Sequence, residues 1–172
     1  MQTLTDNDVK GGKPPQKGQV LTAVGLMSGT SMDGIDVAVI DTDGETVKRR
    51  GAFASYPYAP DLRKKVQALA GRKPETGEPT ASVARDITDA HAEAVEDFLG
   101  RAGLSPHDVD VVGFHGQTVF HDPANGVTCQ LGDGARLADR LRIAVVNDFR
   151  AADVAAGGEG APVSALADTL SE

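Results

Sequence analysis

The sequence predicts an α/β fold, with a mixed sheet that opens as an antiparallel meander and is flanked by helices. Three observations carry this. Apolar or alternating runs follow one another across residues 20–55 with only short turns between them. Apolar residues then recur at three- and four-residue spacing across residues 80–101, the period of one long helix. Beyond it, short β-branched runs flank a short helical stretch, as strands joined in parallel to an existing sheet do.

Each element has its own signal. Residues 20–27 are apolar and partly β-branched, Ser28-Gly29-Thr30-Ser31 turns, and residues 35–41 resume with one-sided alternation, which is a β-hairpin with a polar tip. Asp43-Gly44 marks a second turn, and residues 46–55 supply the third strand of the meander. Pro60-Asp61-Leu62 suits a helix start, Val66, Leu69 and Ala70 give it an apolar face, and Gly71 stops it. A polar loop is expected over residues 72–79. In the long helix Val83, Ile87, Ala90, His91, Ala94, Val95, Phe98 and Leu99 share a stripe, closed by Gly100 and Gly103. Strands are expected at 109–114, 127–131 and 143–147, with a short helix at 135–141.

Length and composition narrow the field. A chain of 172 residues holds one good core, because domains cluster at roughly 100–150 residues. Residues 1–19 read as a disordered leader around Gly11, Gly12, Lys13, Pro14 and Pro15, residues 20–162 as the domain, and 163–172 as a divergent or truncated tail. A formal charge of −8 argues against a nucleic-acid or anionic-membrane partner, both of which need a basic patch. No apolar run approaches the ~20 residues of a bilayer span, and no secretory h-region is visible, so the cytoplasm is expected. The single cysteine, Cys129, cannot form an internal disulfide and reads as a small buried hydrophobe.

Three strings carry chemistry. In Gly29-Thr30-Ser31-Met32-Asp33-Gly34 a turn presents backbone N–H groups and two hydroxyls with little bulk around them, which suits phosphate oxygens. Asp33 and Asp36 could hold a hydrated Mg²⁺, which needs only one or two carboxylates; a plain hairpin turn is the competing reading. In His115-Gly116-Gln117-Thr118 an imidazole and an amide follow a strand end, where α/β sheets place ligands. If the strand runs on, His115 and Gln117 share a face and can bracket a sugar hydroxyl, and a hydrogen-bonded structural histidine is the alternative. After the last strand, Asp148, Arg150 and Asp153 bring two carboxylates and a guanidinium together, either to recognise a carboxylate ligand or to form a surface ion pair. Asp133 in Gly132-Asp133-Gly134 is either a helix cap or part of a polar ligand site.

These strings resemble the anhydro-N-acetylmuramic acid kinase family. Gly25-Leu26-Met27-Ser28-Gly29-Thr30-Ser31-Met32-Asp33-Gly34-Ile35-Asp36 is similar, almost letter for letter, to its opening signature, and a dozen matching residues is a specific signal. The resemblance implies that Gly29, Thr30, Ser31, Met32, Asp33, Gly34, Ile35 and Asp36 bind ATP phosphates, with Mg²⁺ on Asp33 and Asp36. His115 to Thr118, then His121 and Pro123, is similar to the family's His-Gly-Gln-Thr element. It implies substrate contacts from His115 and Gln117, with His121 structural. Asp148 to Val154 and Gly157 to Pro162 are also similar to the family, which implies sugar binding by Asp148 and Arg150, the latter on the lactyl carboxylate.

The implied fold is the ribonuclease H-like half of an actin-like sugar kinase. The implied reaction is ATP-dependent phosphorylation of 1,6-anhydro-N-acetylmuramic acid, with ring opening to N-acetylmuramic acid 6-phosphate, in cell-wall recycling. Relatives are about twice as long, and their later Asp-Thr-Gly-Pro element, which looks to supply the catalytic base, has no counterpart here. A truncated kinase lacking its second domain is therefore expected, with a non-catalytic remnant or binding module as the alternative. The expected partners are the sugar and ATP, with a homodimer as the expected assembly.

Overall fold

The computed structural model describes residues 16, 18–72 and 77–158. Strands β1 (Leu21–Met27), β2 (Gly34–Thr42) and β3 (Val47–Pro57) form the antiparallel meander. After helices α1 (Pro60–Leu69) and α2 (Glu78–Ala102), strand β4 (Val111–Phe114) enters parallel to β1. A ribbon of β5 (Gln117–Asp122) and β6 (Val127–Leu131) follows, then helix α3 (Gly134–Leu141), strand β7 (Ala144–Asn147) parallel to β4, and helix α4 (Phe149–Ala155). The main sheet has five strands in the order β3-β2-β1-β4-β7, and β5-β6 forms a separate two-stranded sheet. This mixed sheet with helices against it is the actin-like, ribonuclease H-like architecture.

Period-two alternation decides which face is buried. Val24 and Leu26 on β1, Ile35, Val37 and Val39 on β2, and Val112 and Phe114 on β4 all point one way, into the core. They meet Val83, Ile87, Ala94, Val95, Phe98 and Leu99 on α2, Val66 on α1, and Leu137 and Leu141 on α3. Each such side chain contributes about 1.5–3 kcal/mol when fully buried, so this single layer dominates the stability. The other face of the meander carries Gly25, Met27, Asp36 and Ala38, all exposed, and Phe53 on the edge strand is 81% exposed.

Helix ends follow local chemistry. Asp133 Oδ1 accepts the Arg136 N–H at 2.9 Å and caps α3, as the capping reading expects. Leu104 N–H donates to Leu99 O at 2.9 Å and closes α2 beyond Gly103. Arg136 pairs with Asp89 through two bonds of 2.9 Å and Arg140 with Glu96 through bonds of 2.9 and 2.8 Å, which tie α3 across α2.

One expectation needs correction. The chain does not continue straight through residues 115–117: Gly116 takes φ +70°, β4 ends at Phe114, and Gln117 starts the new ribbon. The stretch after β7, to which the sequence reading assigns no element, forms the short helix α4. Element boundaries elsewhere fall within about two residues of the sequence reading, an ordinary margin for helix and strand ends. Residues 1–15 of the leader, the Glu159-Gly160-Ala161-Pro162 portion of the last motif and the 163–172 tail lie outside the described residues.

Candidate nucleotide and sugar site

The β1–β2 loop begins buried and ends exposed. Ser28 is 3% exposed, whereas Gly29, Thr30, Ser31 and Asp33 open to solvent. Met32 N–H donates to Gly29 O at 3.1 Å, closing a tight turn that places Met32 at φ 54°, in the left-handed region. The Met32 side chain folds down against the core, so the tip exposes two hydroxyls and open backbone. Ser31 Oγ donates to Asp33 Oδ1 at 2.5 Å, and this bond, with a backbone hydrogen bond, holds the Asp33 carboxyl below the usual carboxylate range. Arg63 reaches in from α1, its Nη2 donating to Ser31 O at 3.5 Å.

The motif's remaining residues have structural duties. A Cβ on Gly34 would lie 2.4 Å from Tyr56 O, so glycine is required there by the approach of β3. Ile35 is a core side chain at 2% exposure and can offer a ligand only its backbone. Asp36 lies on the exposed face of β2, where its Oδ1 accepts Ser55 Oγ at 2.5 Å. Among the described residues no group of three or more His, Cys, Asp or Glu is arranged to hold a metal ion. Any Mg²⁺ meeting Asp33 would therefore have to take most of its ligands from outside the protein, since the described residues form no all-protein cage.

The second cluster lies at the far ends of β4 and β7. His115 Nδ1 is 2.9 Å from Gly116 O, an acceptor only, so Nδ1 carries the proton and Nε2 is a bare acceptor. Arg150 Nε donates to that Nε2 at 3.2 Å. Burial, with Arg150 as a smaller contributor, holds the His115 pKa below its ordinary value, and burial likewise lowers that of Arg150. A small cleft beside them is lined by Phe114, His115, Gly116, Gln130, Leu131, Gly132, Asn147 and Asp148. Gly116 is essential to it, because a Cβ there would lie 2.6 Å from Leu131 O at an already left-handed φ. Asp148, also left-handed at φ 61°, meets Asn147 Nδ2 at 3.5 Å and leaves Arg150 to the histidine, so the Asp148–Arg150 ion pair is not formed.

Gln117 parts company with His115. Its side chain is 0% exposed, Oε1 faces Tyr58 OH at 3.3 Å, and Nε2 donates to Gly29 O at 3.1 Å and Thr118 O at 3.2 Å. The corner at Gly116 turns it inward, so it braces the first loop and does not share a ligand face with His115. His121, by contrast, stands at the ribbon surface, with Nδ1 3.2 Å from Thr128 Oγ1, a structural cross-strand contact. Cys129 is half-buried and burial raises its thiol pKa, as suits a packing residue. Sequence reasoning missed Ser28, Tyr58 and His91, which meet beneath the loop; the one signal was a histidine within the apolar stripe of α2.

The described residues thus combine an actin-like sheet, an exposed Gly/Ser/Thr/Asp loop after its first strand, and a half-buried arginine at the ends of its parallel strands. The family model for anhydro-N-acetylmuramic acid kinase matches residues 21–171, and the chain belongs to that family. It is similar to the anhydro-N-acetylmuramic acid kinases of Paramagnetospirillum magneticum, at 51% identity over 143 residues, covering 83% of this chain and 39% of the relative. For Agrobacterium fabrum the figures are 49% over 153 residues, 85% and 41%. For Methylobacterium nodulans they are 51% over 160 residues, 83% and 42%. The chain thus spans about two fifths of the length of the curated relatives it matches.

Proposed function

We propose that this chain forms the nucleotide-loop half of a kinase that phosphorylates 1,6-anhydro-N-acetylmuramic acid with ATP and opens the anhydro bridge to give N-acetylmuramic acid 6-phosphate. The observation that carries the proposal is the 29–33 tip, exposed in its hydroxyls and backbone yet fixed from below. Gly29, Thr30 and Ser31 would present donors to the phosphates, since phosphoryl transfer relies on positioning and charge stabilisation. Mg²⁺, when bound with the nucleotide, would neutralise phosphate charge, and Asp33 is the carboxylate that would meet it. Asp36 would serve only through its second oxygen, the first being held by Ser55.

On the sugar side, Arg150 would take the lactyl carboxylate. Its guanidinium is partly desolvated and its partner is a neutral ring, so an incoming carboxylate would strengthen the contact by a charge-assisted bond. His115 orients that guanidinium, and Asp148 at the cleft rim would accept a sugar hydroxyl. The general base that activates water at the anhydro carbon is assigned to the portion of the family's length that this chain does not span. The reaction would run in the cytoplasm, in the recycling of peptidoglycan fragments and amino-sugar metabolism. Among the described residues no helix is long and apolar enough to cross a membrane. A homodimer is the proposed assembly.

The test is an equilibrium titration of the chain with ATP and Mg²⁺, beside a turnover assay on the anhydro sugar with a full-length relative as control. Saturable ATP binding that weakens about tenfold in Asp33→Ala, equivalent to ~1.4 kcal/mol, is the expected outcome. A folded chain that binds no ATP would leave a module that retains only the fold.

A further inference from the structure

The geometry points to the buried cluster of Tyr58, Ser28, His91 and Gln117 as a positioning device that sets the shape of the nucleotide loop before any ligand arrives. This inference deepens the proposed nucleotide-binding role and rests on it. Ser28, His91 and Gln117 are 3%, 0% and 0% exposed and Tyr58 is 6% exposed, yet they come from four different parts of the chain.

Its hydrogen-bond directions are dictated from the ends inward. His91 Nδ1 lies 2.8 Å from Ile87 O, which only accepts, so the ring proton is on Nδ1 and Nε2 is the acceptor in the neutral ring. Ser28 Oγ, 2.8 Å from Nε2, must therefore donate to it. That leaves the Ser28 oxygen to accept from Tyr58 OH at 2.9 Å. The one phenolic proton can reach Gln117 Oε1 at 3.3 Å only as a longer, shared contact, and the Nε2 of that amide donates to Gly29 O. Gly29 O is also the acceptor of the Met32 N–H that closes the turn. At the loop's exit the Tyr58 backbone N–H donates to Asp33 O at 3.0 Å. Tyr58 thus grips both ends of the loop, and Gln117 grips the carbonyl that closes it.

A purely structural role explains this poorly. An apolar filling of the same volume would pack without the desolvation of four polar side chains, and buried polar networks are often no more stable than hydrophobic replacements. What the network adds is direction. Its bonds to Ser28 Oγ, Gly29 O and Asp33 O restrain both ends of the loop, and a loop held in its binding shape loses less entropy when it binds.

The experiment uses the full 172-residue chain with Tyr58→Phe, His91→Leu and His91→Gln. Three quantities are read: Mg·ATP affinity by calorimetry, amide exchange at residues 29–33 by NMR, and cooperative melting. Tyr58→Phe and His91→Leu should bind ATP about tenfold more weakly and exchange those amides about tenfold faster while still melting cooperatively, the scale of one lost ordering contact. His91→Gln should stay within about threefold, because its side-chain oxygen can still accept from Ser28. A folded Tyr58→Phe with parental exchange and affinity overturns the proposal. Should His91→Leu not fold, Tyr58→Phe, which removes one oxygen, decides alone. Should the parent take no ATP, the nucleotide reading fails separately, and the loop exchange rates of Tyr58→Phe then sustain or overturn the positioning role.

Discussion

The β1–β2 loop and the His115–Arg150 corner are both motif-bearing turns at strand ends, but they are held in different ways. Beneath the loop, four buried side chains form one hydrogen-bonded network that holds Ser28 at its start and the Gly29 carbonyl that closes its turn. At the corner, a partly buried cation leans on one neutral imidazole. The first is finished without a ligand. The second has a charge that an anionic ligand would complete, so one region sets geometry in advance and the other supplies affinity on demand.

The comparison can be broken most severely at Gly116. Alanine there faces both a left-handed φ and Leu131 O at 2.6 Å, and should cost about 3 kcal/mol or more, read as a large drop in melting temperature. Unchanged melting would mean that the corner is looser than described.

Acid tests the other region. Burial holds the His91 pKa down at about 4 against an ordinary value of 6.5, so the unfolded chain takes up the proton first. The stability from keeping this ring neutral is fully present above about pH 6.5 and is lost as pH falls through about 4. On the order of 3 kcal/mol is at stake, and His91→Gln should flatten that limb of a denaturation-versus-pH curve. A parallel curve in the variant would contradict a neutral buried His91.

Arg150→Lys sharpens the difference between the regions, since lysine lacks the planar fork that grips a carboxylate. Affinity for the anhydro sugar should fall roughly tenfold, about 1.4 kcal/mol, while ATP affinity stays at its parental value. The smallest effect is expected from Arg136→Ala, which removes an exposed ion pair to Asp89 and should cost at most about 1 kcal/mol, shrinking further in high salt.

Sequence reading succeeded where periodicity reports burial. The alternation of Ile35, Val37 and Val39 and the stripe through Val83, Ile87 and Val95 gave the sheet face and the helix that covers it, and hence the fold class. The loop was legible because its glycines and hydroxyls lie in one string. Arg150 was legible too, though its partner His115, 35 positions earlier in the chain, was not. What failed was whatever a single corner decides. Nothing in the string around Gly116 announces a left-handed turn, and without that turn Gln117 was placed beside His115 when it points beneath Gly29. Helix α4 has seven residues and an Asp148 that makes no capping bond, too little for a periodic or capping signal. His91 looked like one more member of an apolar stripe, because a network built across four chain segments leaves no local pattern.

The most direct test of the central claim is an NMR titration of the chain with Mg·ATP, followed through its backbone amides. The expected result is saturable shifts concentrated at residues 29–34, with the Gln117 and Tyr58 amides responding as the loop is engaged and the α3 amides unmoved. Cooperative folding without saturable shifts at the loop, or shifts centred elsewhere on the sheet, would contradict it.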